Sequence, residues 1–300
     1  SGGCPLQCRC YGSIVDCADR SLKSVPVGIP PSTERLHLQN NMITNIPEGS
    51  LSADIPAATE RLYLNNNQIS NVQPNGFVGL AALEFLHLEN NKITDEGNPI
   101  RALPAGTFYG FSNLKDLFAR RIGLTELQTN SFFGLDSLET LYLEYNELTT
   151  IPTMALQNLR NLKKLYLRDN KVTELPQKAF FGLDSLELLD LRYMLLSTIH
   201  DMAFEGVKSL MSLLLAGNER LQSLPQGGIF EDIPSLQSLT LQENPWSCEA
   251  PLCSLRRWMD TSEVRIEARD RIACYMPESL RGQTLDSLST ASLCQGLPSP

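Results

Sequence analysis

The chain has 300 residues, is 42% hydrophobic and carries a formal net charge of -9. No apolar run reaches the ~18 residues a membrane-spanning helix needs. The acidic balance also speaks against a nucleic-acid binder, which would show a basic face. The Ser-Gly-Gly start before Cys4 reads as a processed or engineered beginning.

Eight cysteines fall into two groups of four, Cys4, Cys8, Cys10 and Cys17 at one end and Cys248, Cys253, Cys274 and Cys294 at the other. Even sets clustered at both ends predict disulfide-closed caps and an oxidising compartment. Zinc is the competing reading. It is disfavoured because neither group has a nearby His pair or paired CxxC knuckles, so no metal is expected.

Between the clusters, L-x-x-L-x-L-x-x-N recurs nine times, starting at Thr33, Thr59, Leu83, Leu114, Leu138, Leu162, Leu186, Leu210 and Leu236. This is the leucine-rich repeat signature. One repeat cannot bury its own apolar face, so neighbours stack. The expected fold class is an α/β leucine-rich repeat solenoid, a horseshoe with a parallel β-sheet on its concave face and disulfide-closed caps at both ends. The expected division is an N-terminal cysteine-rich cap over 1–32, repeats over 33–243, and a C-terminal cap over 244–300 that includes the start of a stalk.

Within each repeat two leucines, such as Leu141 and Leu143, point into the core. The Asn at the ninth position, such as Asn67, Asn91, Asn146 and Asn170, is expected to satisfy turn backbone groups. Phe77, Phe108, Phe132, Phe180, Phe204 and Phe230 recur at one repeat position, with Leu156 in the gap. That recurrence marks a packed outer spine. Two repeats depart from the pattern: LKDLFARRI has Ala119 for Leu and Ile122 for Asn, and LELLDLRYM has Met194 for Asn. An insertion, Asp95 to Arg101, is expected to form a loop.

The start, CPLQCRC…VDCADRSLKSVPVGIP, resembles the N-terminal cap of extracellular leucine-rich repeat proteins. The end, NPWSCEAPLCSLRRWM…CYMPESLRGQTL…LC, is similar to their C-terminal cap, although four residues rather than one separate the first two cysteines after NPW. The resemblance implies Cys4–Cys10, Cys8–Cys17, Cys248–Cys274 and Cys253–Cys294 bridges. Within that group the chain looks most like the variable lymphocyte receptors of jawless vertebrates, which implies antigen recognition on the concave sheet. That family's second contact, a long insert in the C-terminal cap, has no counterpart between Cys253 and Cys274. The closing QGLPSP is expected to open a Pro-rich stalk, beyond which an oligomer is left open.

Strand side chains alternate faces. If Leu141 and Leu143 point in, Thr140, Tyr142 and Glu144 point out. The central outward column then reads His37, Tyr63, His87, Phe118, Tyr142, Tyr166, Asp190, Leu214 and Thr240. Arg120, Glu144, Tyr145, Arg168, Arg192 and Tyr193 flank it, and with His37 to Asp190 they form the candidate ligand face. Tyrosine offers large contact area at low entropy cost. The same rings also suit a cross-strand ladder that merely stabilises the sheet.

No nucleophile elbow, HExxH, P-loop or dinucleotide turn occurs, so catalysis and cofactors are not expected. The leading expectation is a secreted or surface-tethered immune-type receptor for a protein antigen or a microbial polysaccharide or lipid-glycan. The alternative is a matrix, adhesion or signalling protein that binds another protein.

Overall fold

A computed structural model describes residues 3–46, 53–91, 93 and 103–297. The Asp95–Arg101 insertion lies outside the described residues. The chain divides into two compact units, one formed by 1–148 with 154–162, the other by 149–153 with 163–300.

In the first unit, strands Arg9–Tyr11 and Ile14–Asp16 form an antiparallel hairpin in the N-terminal cap. Ile14–Asp16 then pairs in parallel with Arg35–His37. Arg61–Tyr63, Phe85–His87, Asp116–Phe118 and Thr140–Tyr142 follow in unbroken parallel register. In the second unit Lys164–Tyr166, Leu188–Asp190, Ser212–Leu214, Ser238–Thr240 and Arg265–Glu267 do the same. Each unit is therefore a stack of leucine-rich repeat turns on one parallel sheet.

The strands are three residues long because only x-Leu-x needs to be extended. The central leucine of each, such as Leu62, Leu117, Leu189 and Leu213, has no exposed surface. The next inward residue, such as Leu64, Leu143 or Leu191, is equally buried. Each fully buried leucine is worth roughly 1.5–3 kcal/mol. Thr33 and Thr59 occupy the first leucine position yet are 1% and 0% exposed. Their hydroxyls donate to the Pro30 and Pro56 carbonyls at 2.7 Å, which makes that burial tolerable.

The asparagines do what the spacing predicts. Asn146 Nδ2 donates to the Ala119 and Leu143 carbonyls (3.0 and 2.9 Å), and its Oδ1 accepts from the Ile122 and Leu124 amides (3.0 and 3.2 Å). Asn67, Asn91 and Asn244 likewise donate to two carbonyls, one from their own repeat and one from the repeat before. Where Ile122 replaces Asn, its backbone carbonyl takes over and accepts from the Ile93 amide at 2.8 Å. Ile122 and Met194 are both buried, so the substituted side chains fill core.

The phenylalanine spine is fully buried at Phe77, Phe108, Phe132, Phe180 and Phe204. Ring centroids lie 6.4 Å apart for Phe77–Phe108, 6.1 Å for Phe108–Phe132 and 6.0 Å for Phe180–Phe204. Phe230 departs from that expectation. It is only half-buried and stacks at 3.6 Å on Trp258, in the cap helix Cys253–Thr261. The last repeat thus hands its aromatic contact to the cap.

All four expected bridges are present: Cys4–Cys10, Cys8–Cys17, Cys248–Cys274 and Cys253–Cys294. In the C-terminal cap Trp246 is fully buried and its indole N–H donates to the Leu241 carbonyl at 2.9 Å.

Candidate functional site

Strand register lines up the outward column. In the first unit it sets His37 beside Tyr63, Tyr63 beside His87, His87 beside Phe118, and Phe118 beside Tyr142. The rings stack face to face, with successive centroid distances of 4.3, 4.4, 4.1 and 4.3 Å and interplanar angles of 6°, 16°, 9° and 7°. These gaps are shorter than the ~4.8 Å between strands, so the rings lean onto one another. Ring faces are spent on neighbours, and what each half-buried residue leaves to solvent is its edge.

Guanidinium groups cover the flanks of that stack. Arg61 Cζ lies 4.1 Å from the Phe85 ring centroid, Arg120 Cζ 4.6 Å from Tyr142, and Arg121 Cζ 4.3 Å from Tyr145. His87 Nδ1 is 3.2 Å from Glu89 Oε1. Burial holds the His37 imidazole below its ordinary value of 6.5, against the opposing pull of Asp16 and Gln39. Burial also raises the Asp116 carboxyl above 3.8.

The second unit uses the same positions differently. Its column reads Tyr166, Asp190, Leu214 and Thr240 in register. Asp190 is 1% exposed. Arg192 clamps it from both sides, Nε to Oδ1 and Nη2 to Oδ2, each at 2.9 Å, and the Arg192 amide adds a bond at 3.1 Å. That clamp raises the Arg192 guanidinium further. Arg168 Cζ sits 4.6 Å from the Tyr193 ring. The Tyr193 hydroxyl donates to Glu243 Oε2 at 2.7 Å, and Arg271 Nη2 donates to Glu243 Oε1 at 2.7 Å. The Glu243 bond lifts the Tyr193 phenol above 10.

Two site residues differ from the sequence expectation of open ligand contacts. Glu144, 8% exposed, lies under Arg120, with Nε 2.7 Å from Oε2. Asp190 is covered by Arg192. A carboxylate on the sheet face is too costly to leave beside apolar rings without a cation, so each is capped by the Arg two strand positions or one repeat away. What the face presents is the capping guanidinium.

Sequence reasoning missed one feature of the rim. Tyr145 and Tyr193 have φ of 59° and 54°, in the left-handed region. The residue before the consensus Asn is left-handed in every other described repeat too, for example Asn66, Arg121, Asp169, Gly217 and Glu243. Asn and Gly suit that conformation, while a bulky side chain pays about 1 kcal/mol there. The signal was present: Asn or Gly recurs just before the ninth position. Gly217 is doubly constrained, because a Cβ there would meet Tyr193 Cε1 at 2.4 Å.

The leucine rich repeat family model matches residues 31–93, 120–172 and 160–219, more than half of the chain, and the leucine rich repeat N-terminal domain model matches 3–30. The chain belongs to the leucine-rich repeat family. Reticulon-4 receptor-like 1 of Rattus norvegicus is 34% identical over 150 residues, 49% of this chain and 32% of that protein. Reticulon-4 receptor-like 2 of Mus musculus is 42% identical over 126 residues, 41% of this chain and 28% of that protein. The matched stretches thus span about a third of those relatives' own length.

Among solved structures, human 5T4 (Wnt-activated inhibitory factor 1, trophoblast glycoprotein) matches with a TM-score of 0.71 at 24% identity, over 97% of this chain and 99% of that one. At that identity the likeness speaks for the fold. A chain of the octameric complex of Latrophilin 3, Unc5D and FLRT2 matches with a TM-score of 0.66 at 26% identity, over 98% of this chain and all of that one. Among the described residues no helix is long and apolar enough to cross a membrane, and no group of His, Cys, Asp or Glu is arranged to hold a metal.

Proposed function

We propose that this chain is the recognition part of an extracellular or cell-surface adhesion or signalling protein, and that it binds another protein through the outward face of its sheet. The observation that carries the reading is the preorganised face itself. Rings locked by stacking and guanidiniums locked over rings or carboxylates lose little freedom on binding. Aromatic and Arg side chains are also the groups that most often dominate protein interfaces.

The receptor-like names of the relatives, and the multiprotein assembly in which one structural neighbour was solved, support a protein partner over a microbial glycan. Four disulfides among the described residues suit an oxidising compartment. Binding rather than catalysis is the proposed activity, and the caps over 1–32 and 244–300 serve to close the stack. The reading as an immune receptor of the variable lymphocyte type rests on the resemblance of a short chain, capped at both ends, with modular repeats of roughly 24 residues.

The test is a binding screen on immobilised protein, using a panel of cell-surface ectodomains alongside lipopolysaccharide, peptidoglycan and whole bacteria. Each hit is retested with Tyr63→Ala/Tyr142→Ala and with Arg168→Ala/Arg192→Lys. Capture of an ectodomain, weakened by either pair, is the expected result. Binding only to microbial material would favour the immune reading. Ectodomain binding untouched by both pairs would remove the sheet face from the proposal.

A further inference from the structure

After the spine residues Phe108, Phe132 and Phe180 the next residue is an aromatic that breaks the burial rule. Tyr109 and Phe133 are 45% and 47% exposed, whereas Phe108 and Phe132 beside them are essentially fully buried. The two exposed rings lie 5.7 Å apart and tilt by 43°. They belong to neighbouring repeats of the first unit and stand outside the sheet, on the turn that follows the spine.

These rings form one wall of a cleft of ≈ 530 Å³ whose other lining includes Asp136, Asn158, Arg160 and Asn161. Asn161 Nδ2 donates to the Asp136 backbone carbonyl, which fixes that wall. Among the described residues, the Asp136 carboxylate, the Asn158 amide, the Arg160 guanidinium and the Tyr109 hydroxyl make no hydrogen bond or ion pair with the protein. The cleft thus joins open ring faces to an acceptor-only group, a donor-only group and groups that do both.

We propose that this cleft binds an oligosaccharide. A pyranose presents an apolar C–H face and a rim of hydroxyls that each donate and accept, and the cleft offers the counterpart of both. The volume falls within the range of small-ligand sites. A bound peptide would instead call for a row of free main-chain partners along a strand edge. Neutral and acidic sugars share the stacking chemistry. Arg160 would add a charged bond to a uronate or sialate carboxylate.

The site is separate from the sheet face and does not depend on the function proposed above. The experiment is saturation-transfer-difference NMR and calorimetry of the whole chain with triacetylchitotriose, 3′-sialyllactose and a hyaluronan hexasaccharide. The variants are Phe133→Ala, Arg160→Ala and, as a control, Phe181→Ala. Phe181 follows a spine phenylalanine in the second unit and is 46% exposed, but it lies outside this cleft. At least one sugar is expected to bind, with affinity reduced on the order of tenfold by Phe133→Ala, the size of one lost aromatic contact. Arg160→Ala should weaken the acidic sugars more than the neutral one. Phe181→Ala should leave binding unchanged. No binding of any of the three sugars, or equal binding by wild type and Phe133→Ala, overturns the proposal. So does capture of an unglycosylated protein that Phe133→Ala abolishes. Should Phe133→Ala fail to fold, as judged by its thermal melt, the Arg160→Ala comparison decides.

Discussion

The two units carry the same repeat, yet their sheet faces are built on opposite principles. The first stacks five rings, His37 to Tyr142, into a continuous ladder. The second replaces rings by a buried carboxylate under Arg192 and a tyrosine tied to Glu243. The leucines are nearly interchangeable between the units, because the core asks only for volume at fixed spacing. The residues between them answer to one another across strands, so a run of rings propagates as a stack while one Asp demands an Arg. One scaffold therefore yields an apolar ladder on one stretch and a polar, geometrically fixed patch on another.

The contrast predicts where the faces break. Arg192→Ala strands the Asp190 carboxylate, whose side chain is only 2% exposed, whereas the Arg192 side chain is 32% exposed. The expected cost is about 3 kcal/mol in urea unfolding, the usual toll for an uncompensated buried charge. Asp190→Ala should cost less, since the stranded guanidinium can reach water. Equal costs would mean that the carboxylate is not the buried partner.

In the first unit the largest loss should come from Phe118→Ala. It removes both ring contacts of a residue held between His87 and Tyr142. Cross-strand packing of this kind predicts about 2 kcal/mol, against about 1 kcal/mol for Leu214→Ala in the second unit's column. The near-UV circular dichroism of the ladder should collapse with it. A Phe118→Ala loss no larger than that of Leu214→Ala would show that the stack adds nothing beyond buried area.

How much of this was legible beforehand follows from the same contrast. The solenoid could be read because nine leucine repeats have one way to bury their apolar faces, whereas the cysteine groups alone left zinc open and their pairing came from the resemblance of the caps. The column could be read because strand side chains alternate, and the register then set His37 beside Tyr63. Burial of Glu144 and Asp190 could not be read. It depends on which way Arg120 and Arg192 fold over the sheet, and periodicity carries no such information. Phe230 was misplaced because its repeat position matched the spine, while its real partner, Trp258, lies in the non-repetitive cap. Tyr109 and Phe133 were missed because an aromatic beside a spine phenylalanine reads as more core.

Smaller effects separate backbone from side chain at the second unit's rim. Gly217 has φ of 76° and lies under the Tyr193 ring. Gly217→Ala should cost about 1–2 kcal/mol for the left-handed backbone, and the clash should push Tyr193 off Glu243. The phenol, raised by its bond to Glu243, should then fall back toward 10 in an ultraviolet titration. Glu243→Gln should lower it in the same way without touching the backbone. An unchanged phenol in both variants would mean that the hydrogen bond does not persist in solution.

The smallest effect concerns pH and belongs to the first unit. Burial against Tyr63 lowers the His37 pKa, so below its ordinary value of 6.5 the folded state binds fewer protons there than the unfolded chain. Stability from this group is therefore complete above 6.5, and it is lost as pH falls through the lowered value. Asp116 works in the opposite sense. Its pKa is raised, so the folded state holds a proton longer, and its contribution fades as pH rises above 3.8. A bare pH profile mixes the two slopes with those of other groups. The difference between wild type and His37→Phe isolates the imidazole, because Phe keeps a ring on Tyr63 and Asp116 is common to both chains. That difference should be flat above pH 6.5 and should tilt against the wild type on acidification. A tilt in its favour would mean that Asp16 and Gln39 hold the proton more strongly than burial expels it, and that the ladder begins with an imidazolium rather than a neutral ring.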